Sequence, residues 1–272
     1  MEEAPKKEMS FLDHLEELRW HLIRSFIAIF VFAILAFVFK EIVFDDIILA
    51  PSTPDFFTNK LLCSIGDKLS MPALCINQVP LTLQNINMSG QFTTHIWVSF
   101  IAGVIAAFPY IFWEVWSFIR PALYPNELRH SRGAIFFTSL LFIIGILFSY
   151  YIICPLSVQF LGNYHVSEQV ENIVNLGSYI STITSIVLAG GIIFELPIFI
   201  FFLAKAGLVT ADFLRTYRRH AIVVALLLAA IITPPDIVSQ ILVCLPLIVL
   251  YEAGIMIAKR IERDREEEEN NN

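Results

Sequence analysis

The sequence predicts an all-α polytopic membrane protein with six transmembrane helices, of which the fifth and sixth are short. Three observations lead there. Hydrophobic residues make up 57% of the 272 and charged residues only 16%, with Phe alone occurring 24 times. A soluble chain of this length covers its outside with more polar groups than that. The apolar residues also arrive in blocks. Those at 22–39, 94–113, 133–161 and 176–204 span, or nearly span, a hydrocarbon layer of about 30 Å. Two shorter uncharged blocks follow at 221–235 and 237–251. Finally, with the N-terminus inside and six crossings, all of the 18 Lys and Arg except Lys40, Lys60 and Lys68 fall on inner segments. This positive-inside pattern puts both termini in the cytoplasm, and the formal net charge of −7 does not oppose it, because acidic residues contribute little to topology.

In chain order, residues 1–9 read as a flexible cytoplasmic N-terminus, and 10–258 as the membrane domain. Ser10 and Asp13 have the spacing of a capping box. Phe11, Leu15, Leu18 and Leu22 then recur at helical spacing, so a short amphipathic helix leads into the first crossing. Acidic residues precede that crossing and no small-x-small pattern follows, so it reads as a retained anchor. His14 and His21 share a helical face and read as solvated interfacial histidines; no spacing in the chain suggests a metal site.

The outer loop at 41–91, with Pro51, Pro54, Pro72 and Pro80, is the largest part outside the membrane. Short helices or a small cap both suit it. Cys63 and Cys75 lie there, twelve residues apart, either as a disulfide in an oxidising compartment or as two free thiols. Cys154 and Cys244 read as small apolar packing residues. The last two crossings have about fifteen helical residues each, only about 22 Å of helix. Between them lies Ile232-Thr-Pro-Pro-Asp-Ile-Val-Ser-Gln240. Pro234 and Pro235 stop one helix, and Asp236 is placed to cap the next. Residues 259–272, with four consecutive Glu and three Asn, read as a flexible acidic cytoplasmic tail.

Glu195 interrupts a strongly apolar stretch. A carboxylate there is costly unless neutral, paired or facing a wet cavity. Either it presents a polar feature to a groove or partner, or a hydrogen bond inside the bundle satisfies it, from Gln240 or a hydroxyl. Glu16, Glu17, Glu114, Glu127 and Glu252 fall on or near the inner side. There they are solvated ion pairs, or a clamp for a cationic peptide, since guanidinium matches carboxylate bidentately. No Walker A, haem, zinc or nucleophile-elbow pattern is present, so catalysis is not expected. Two classes stay open on the residues alone: a secondary transporter or channel for a small solute, and a scaffold or receptor binding peptides and partner helices.

Four short motifs resemble those of the TatC family, the multispanning subunit of the twin-arginine protein translocase. They are His14-Leu-Glu-Glu-Leu-Arg19, Phe118-Ile-Arg-Pro-Ala-Leu-Tyr-Pro-Asn-Glu127, Phe194-Glu-Leu-Pro197 and Thr233-Pro-Pro-Asp-Ile-Val-Ser-Gln240, in this order along the chain. The resemblance implies a cup-shaped six-helix bundle in the cytoplasmic (inner) membrane that receives folded proteins carrying twin-arginine signal peptides. It implies signal-peptide recognition by Glu17 and Glu127, with Arg19 and Phe118 on the same surface, and an intramembrane polar role for Glu195, which Gln240 would share. It implies TatA- and TatB-type single-span partners, self-association in the complex, proton-motive force as the energy source, and no nucleotide, cofactor or metal. Loop 41–91, with its cysteine pair, is long for the family. Arg120 adds a positive charge near Glu127, where it would weaken the pull on an arginine peptide or pair with Glu114.

Overall fold

The computed structural model describes residues 11–78, 81–119, 131–167, 169, 172–233 and 237–270. The helices are α1 (Phe11–Val38), α2 (Phe57–Leu69), α3 (Gly90–Ile119), α4 (Ser131–Phe148), α5 (Cys154–Asn163), α6 (Leu176–Phe194), α7 (Leu196–Lys205), α8 (Ala211–Thr216), α9 (Arg218–Ile232) and α10 (Ile237–Asn270). Strands β1 (Leu83–Gln84) and β2 (Val174–Asn175) pair in parallel. Among the described residues, five stretches are long and apolar enough to cross a membrane: Leu15–Val38, Gly90–Ile119, Ile135–Asn163, Leu176–Lys205 and Ser239–Arg265. The fifth expected crossing is α9, whose 15 residues have the stunted length the sequence predicts. The chain divides into two compact units, Met1–Phe39 with Ile96–Ser139, and Lys40–His95 with Leu140–Asn272.

In the first unit, α1 and α3 meet along small residues. A Cβ at Gly103 would lie 2.7 Å from the carbonyl oxygen of Ile29 and 2.8 Å from the amide nitrogen of Ala33. Glycine there lets the two backbones touch, as small residues do at membrane-helix crossings. Ser99 and Ala107, one turn to either side, are buried. The rest of α1 turns Phe26, Phe30, Ile34 and Val38 outward, an apolar exterior suited to lipid.

In the second unit, α4 and α6 cross as closely. A Cβ at Gly145 would lie 2.6 Å from the carbonyl oxygen of Gly190, and one at Gly191 would lie 2.7 Å from the Phe142 ring. A π-helical stretch, Ser149–Ile153, links α4 to α5. Pro155 explains it: without an N–H it cannot donate to the Tyr151 carbonyl four residues back. The Thr58 hydroxyl donates to that carbonyl. Thr58→Val, which keeps the shape and removes the donor, is expected to destabilise the protein by about 1 kcal/mol. The unfolding midpoint in detergent checks it.

Loop 41–91 is folded, and it holds more structure than its composition suggests. The structure joins Cys63 on α2 to Cys75 by a disulfide, closing the turn between them. Asn77 takes a left-handed conformation, φ 51°, which Asn tolerates well. From there its Nδ2 donates to the Pro155 carbonyl at 3.0 Å, and its backbone N–H donates to Gln159 Oε1 at 2.7 Å. The hydroxyls of Tyr150 and Tyr179 donate to the carbonyls of Ile47 and Ile48 at 2.8 and 2.9 Å.

The last helix departs from expectation. Its uncharged part is as short as predicted, but α10 continues through the charged residues to Asn270, so the sixth helix is long and most of the expected flexible tail is helical. The reason lies in what the extension binds. Glu262 Oε1 accepts from the Ala211 N–H at 2.8 Å, capping the first turn of α8. Arg265 donates to the Lys205 carbonyl at 3.0 Å and the Ala204 carbonyl at 3.3 Å, at the negative end of α7. Arg218 pairs with Glu252 at 2.6 Å, and Arg263 with Glu267 four residues on at 3.3 Å. Below these, Ile255 and Ala258 pack on Ile200, Ala204, Ala211 and Leu214.

Candidate functional site

The polar end of the α1–α3 seam collects the residues that the sequence singles out in the first unit. Glu17, His21 and Ser25 recur at four-residue spacing, on one face of α1; Tyr110, Glu114 and Phe118 do the same on α3. Glu114 is 1% exposed. Its Oε2 meets His21 Nδ1, and its Oε1 accepts from the Tyr110 hydroxyl at 2.6 Å. The His21 ring stands edge-on to Phe118, with centroids 6.0 Å apart. Ser25 donates to the His21 carbonyl at 2.9 Å.

Two expectations are thereby corrected. His21 is not a solvated interfacial histidine, because burial of Glu114 demands a partner and His21 supplies it. Glu114 is not a surface glutamate. The four-residue spacing puts Glu17 and His21 on one face of α1 and Tyr110 and Glu114 on one face of α3. But α1 also carries Glu16, Arg19 and Arg24 nearby, so spacing alone does not pair His21 with Glu114. His14's side chain, Arg120 and Glu127 lie outside the described residues. Glu17 is half-buried, and its Oε2 has no hydrogen-bond partner among the described residues. Arg19 is exposed, and Phe118 occupies the last turn of α3.

In the second unit, Glu195 sits at the break between α6 and α7. Pro197 lacks an N–H, so the helix cannot run on unbroken, and the Glu195 amide turns to Ile192 at 3.1 Å. The side chain is 6% exposed. Among the described residues neither carboxylate oxygen makes a hydrogen bond of normal geometry, and the backbone of Phe142 comes near. Gln240 does not reach it. Its Nε2 donates to the Leu226 carbonyl at 3.2 Å, joining α9 to α10. Next to Glu195 a small cavity is lined by Phe148, Ser149, Gly190, Phe194, Val243 and Leu247.

Pro234, Pro235 and Asp236 lie outside the described residues. On either side of them, α9 ends at Ile232, the Thr233 N–H donates to the Ala229 carbonyl at 2.9 Å, and α10 begins at Ile237. Among the described residues one group of metal-ligand types, Cys63, Asp67 and Cys75, comes together, and its two sulfurs are bonded to each other.

Comparison with known proteins accounts for this arrangement. Residues 13–246 match the family model described as Sec-independent protein translocase protein (TatC). The Sec-independent protein translocase protein TatC of Blattabacterium sp. subsp. Periplaneta americana is 41% identical over 262 residues, covering 96% of this chain and 98% of that one. The protein of the same name from Desulforapulum autotrophicum is 34% identical over 266 residues, covering 97% and 90%. Among solved structures, the crystal structure of the twin arginine translocase receptor TatC in DDM superposes with a TM-score of 0.69 at 33% identity, over 90% of this chain and 99% of that one. A family match over most of the length, the close relatives and the shared helical fold agree: the chain belongs to the TatC family of Sec-independent protein translocase proteins.

Proposed function

We propose that this protein is the twin-arginine signal-peptide receptor and core scaffold of a translocase that exports folded proteins across the cytoplasmic membrane, driven by proton-motive force. The observation that carries the reading is the α1–α3 seam. It holds Glu17, whose buried carboxylate oxygen has no hydrogen-bond partner among the described residues, one turn from a histidine that touches Phe118. A guanidinium is the natural complement of such an oxygen. Glu127 supplies the second carboxylate, and Arg19 lies on the same surface. The apolar part of the signal peptide inserts beside the bundle. Both termini face the cytoplasm, following the basic residues. TatA- and TatB-type single-span proteins dock at the membrane face near α9 and α10, and copies of the chain associate in the complex. Glu195 and Gln240 are the intramembrane polar groups beside which those partner helices dock.

Photocrosslinking of a twin-arginine signal peptide to the protein in native membranes tests the recognition site. Glu17→Ala and Glu127→Ala are each expected to abolish the crosslink, as is a Lys-Lys peptide on the wild type. A crosslink indifferent to all three changes would place recognition elsewhere. Absence of any crosslink in wild-type membranes with partners present, together with solute flux in purified vesicles, would return the protein to the transporter class.

A further inference from the structure

Most of the α1–α3 seam needs no charge: Gly103 and Ala107 pack it with small groups. At the end near Phe118 it buries the carboxylate of Glu114 against His21 and Tyr110. An apolar seam would hold the helices together as well, since buried ion pairs rarely add stability over apolar replacements. What a hydrogen-bonded pair adds is register. Smooth apolar faces slide and rotate past one another, whereas the Nδ1–Oε2 contact forms at one relative placement.

That placement matters for two neighbours. Glu17 precedes His21 by one turn on the same face of α1, and Phe118 follows Glu114 by one turn on α3. The His21 ring itself abuts Phe118. We propose that His21 is a positioning residue of the signal-peptide site: by pairing with Glu114 it sets the register of α1 on α3 and so fixes Glu17 and Phe118 relative to each other. The peptide does not touch it. The proposal rests on the reading of Glu17 and Phe118 as peptide-binding residues.

The test is a titration of the photoreactive twin-arginine peptide against membranes holding equal amounts of wild type or variant. His21→Ala is expected to raise the peptide concentration for half-maximal crosslinking about tenfold, with the maximum per receptor unchanged. His21→Asn places an amide donor where Nδ1 stands and is expected to bind like the wild type. His21→Gln places its amide where Nε2 stands and is expected to bind like His21→Ala. This pair of amides keeps the test decisive even if His21→Ala fails to accumulate. The proposal is overturned if His21→Gln titrates as the wild type while Glu17→Ala loses binding. It is equally overturned if Asn and Gln both lower the maximum at an unchanged midpoint, which is a folding defect. If Glu17→Ala also binds as the wild type, the peptide site is misplaced, and that separate failure removes the basis of this one.

Discussion

Gly145→Val is expected to remove most of the protein from the membrane, with the steady-state level falling at least about tenfold. The added Cβ would stand 2.6 Å from the Gly190 carbonyl oxygen and 2.8 Å from the Phe194 Cβ. Neither neighbour is the far end of a flexible side chain. Relief requires α4 and α6 to separate, and separation would open the cavity beside them along its whole length. Gly190 faces the same crossing from the other side, with the Ser149 hydroxyl where its own Cβ would be. Gly133→Val, earlier on α4, is the control: no atom of the described residues lies within 4 Å of its Cβ position, so its level should match the wild type. Immunoblots of membranes at matched expression separate the two outcomes, and equal levels for both variants would mean that the crossing is looser than described.

Glu195→Leu is expected to stop export while leaving the fold as stable as before, or more so. A carboxylate at 6% exposure without a properly formed hydrogen bond among the described residues is a standing cost to the native state. An apolar side chain of similar size removes that cost. Proteins retain such costs where function needs them. The unfolding midpoint in detergent should stay level or rise. Co-purification of single-span partners and export of a folded substrate should fall to background, while twin-arginine peptide crosslinking persists. Normal export by this variant would remove Glu195 from the transport machinery, and loss of peptide crosslinking would show that the two functions are not separable.

The crossings were legible because lipid imposes the simplest rule, a long uncharged run, and α9 shows that even its stunted length could be counted from residues. Glu195 stood out for the same reason, while the break beside it between α6 and α7 falls inside a block that reads as one crossing. Partners were not legible. His21 and Glu114 are 93 residues apart, and no local pattern says that one meets the other. Gln240 was a reasonable partner for Glu195 on composition, yet the fold turns it to a carbonyl on α9. The charged end of α10 misled for a further reason. A run of glutamates solvates well as coil, and what makes it helix here is capping of α7 and α8 by Arg265 and Glu262, contacts reaching back more than 50 residues. Loop 41–91 hid its order likewise: the Asn77 network joins it to the Pro155 carbonyl and the Gln159 side chain, far along the chain.

The central claim is that this protein receives twin-arginine signal peptides on behalf of folded cargo. Export by inverted membrane vesicles from the host, with the chromosomal copy deleted and the wild-type protein resupplied, tests it most directly. A folded fluorescent protein behind a twin-arginine signal peptide should become protease-protected. Protection should vanish with a Lys-Lys peptide, with an uncoupler, or with the Glu17→Ala protein. Protection of the Lys-Lys cargo to the same extent, or export that persists in vesicles lacking the protein, would contradict the account.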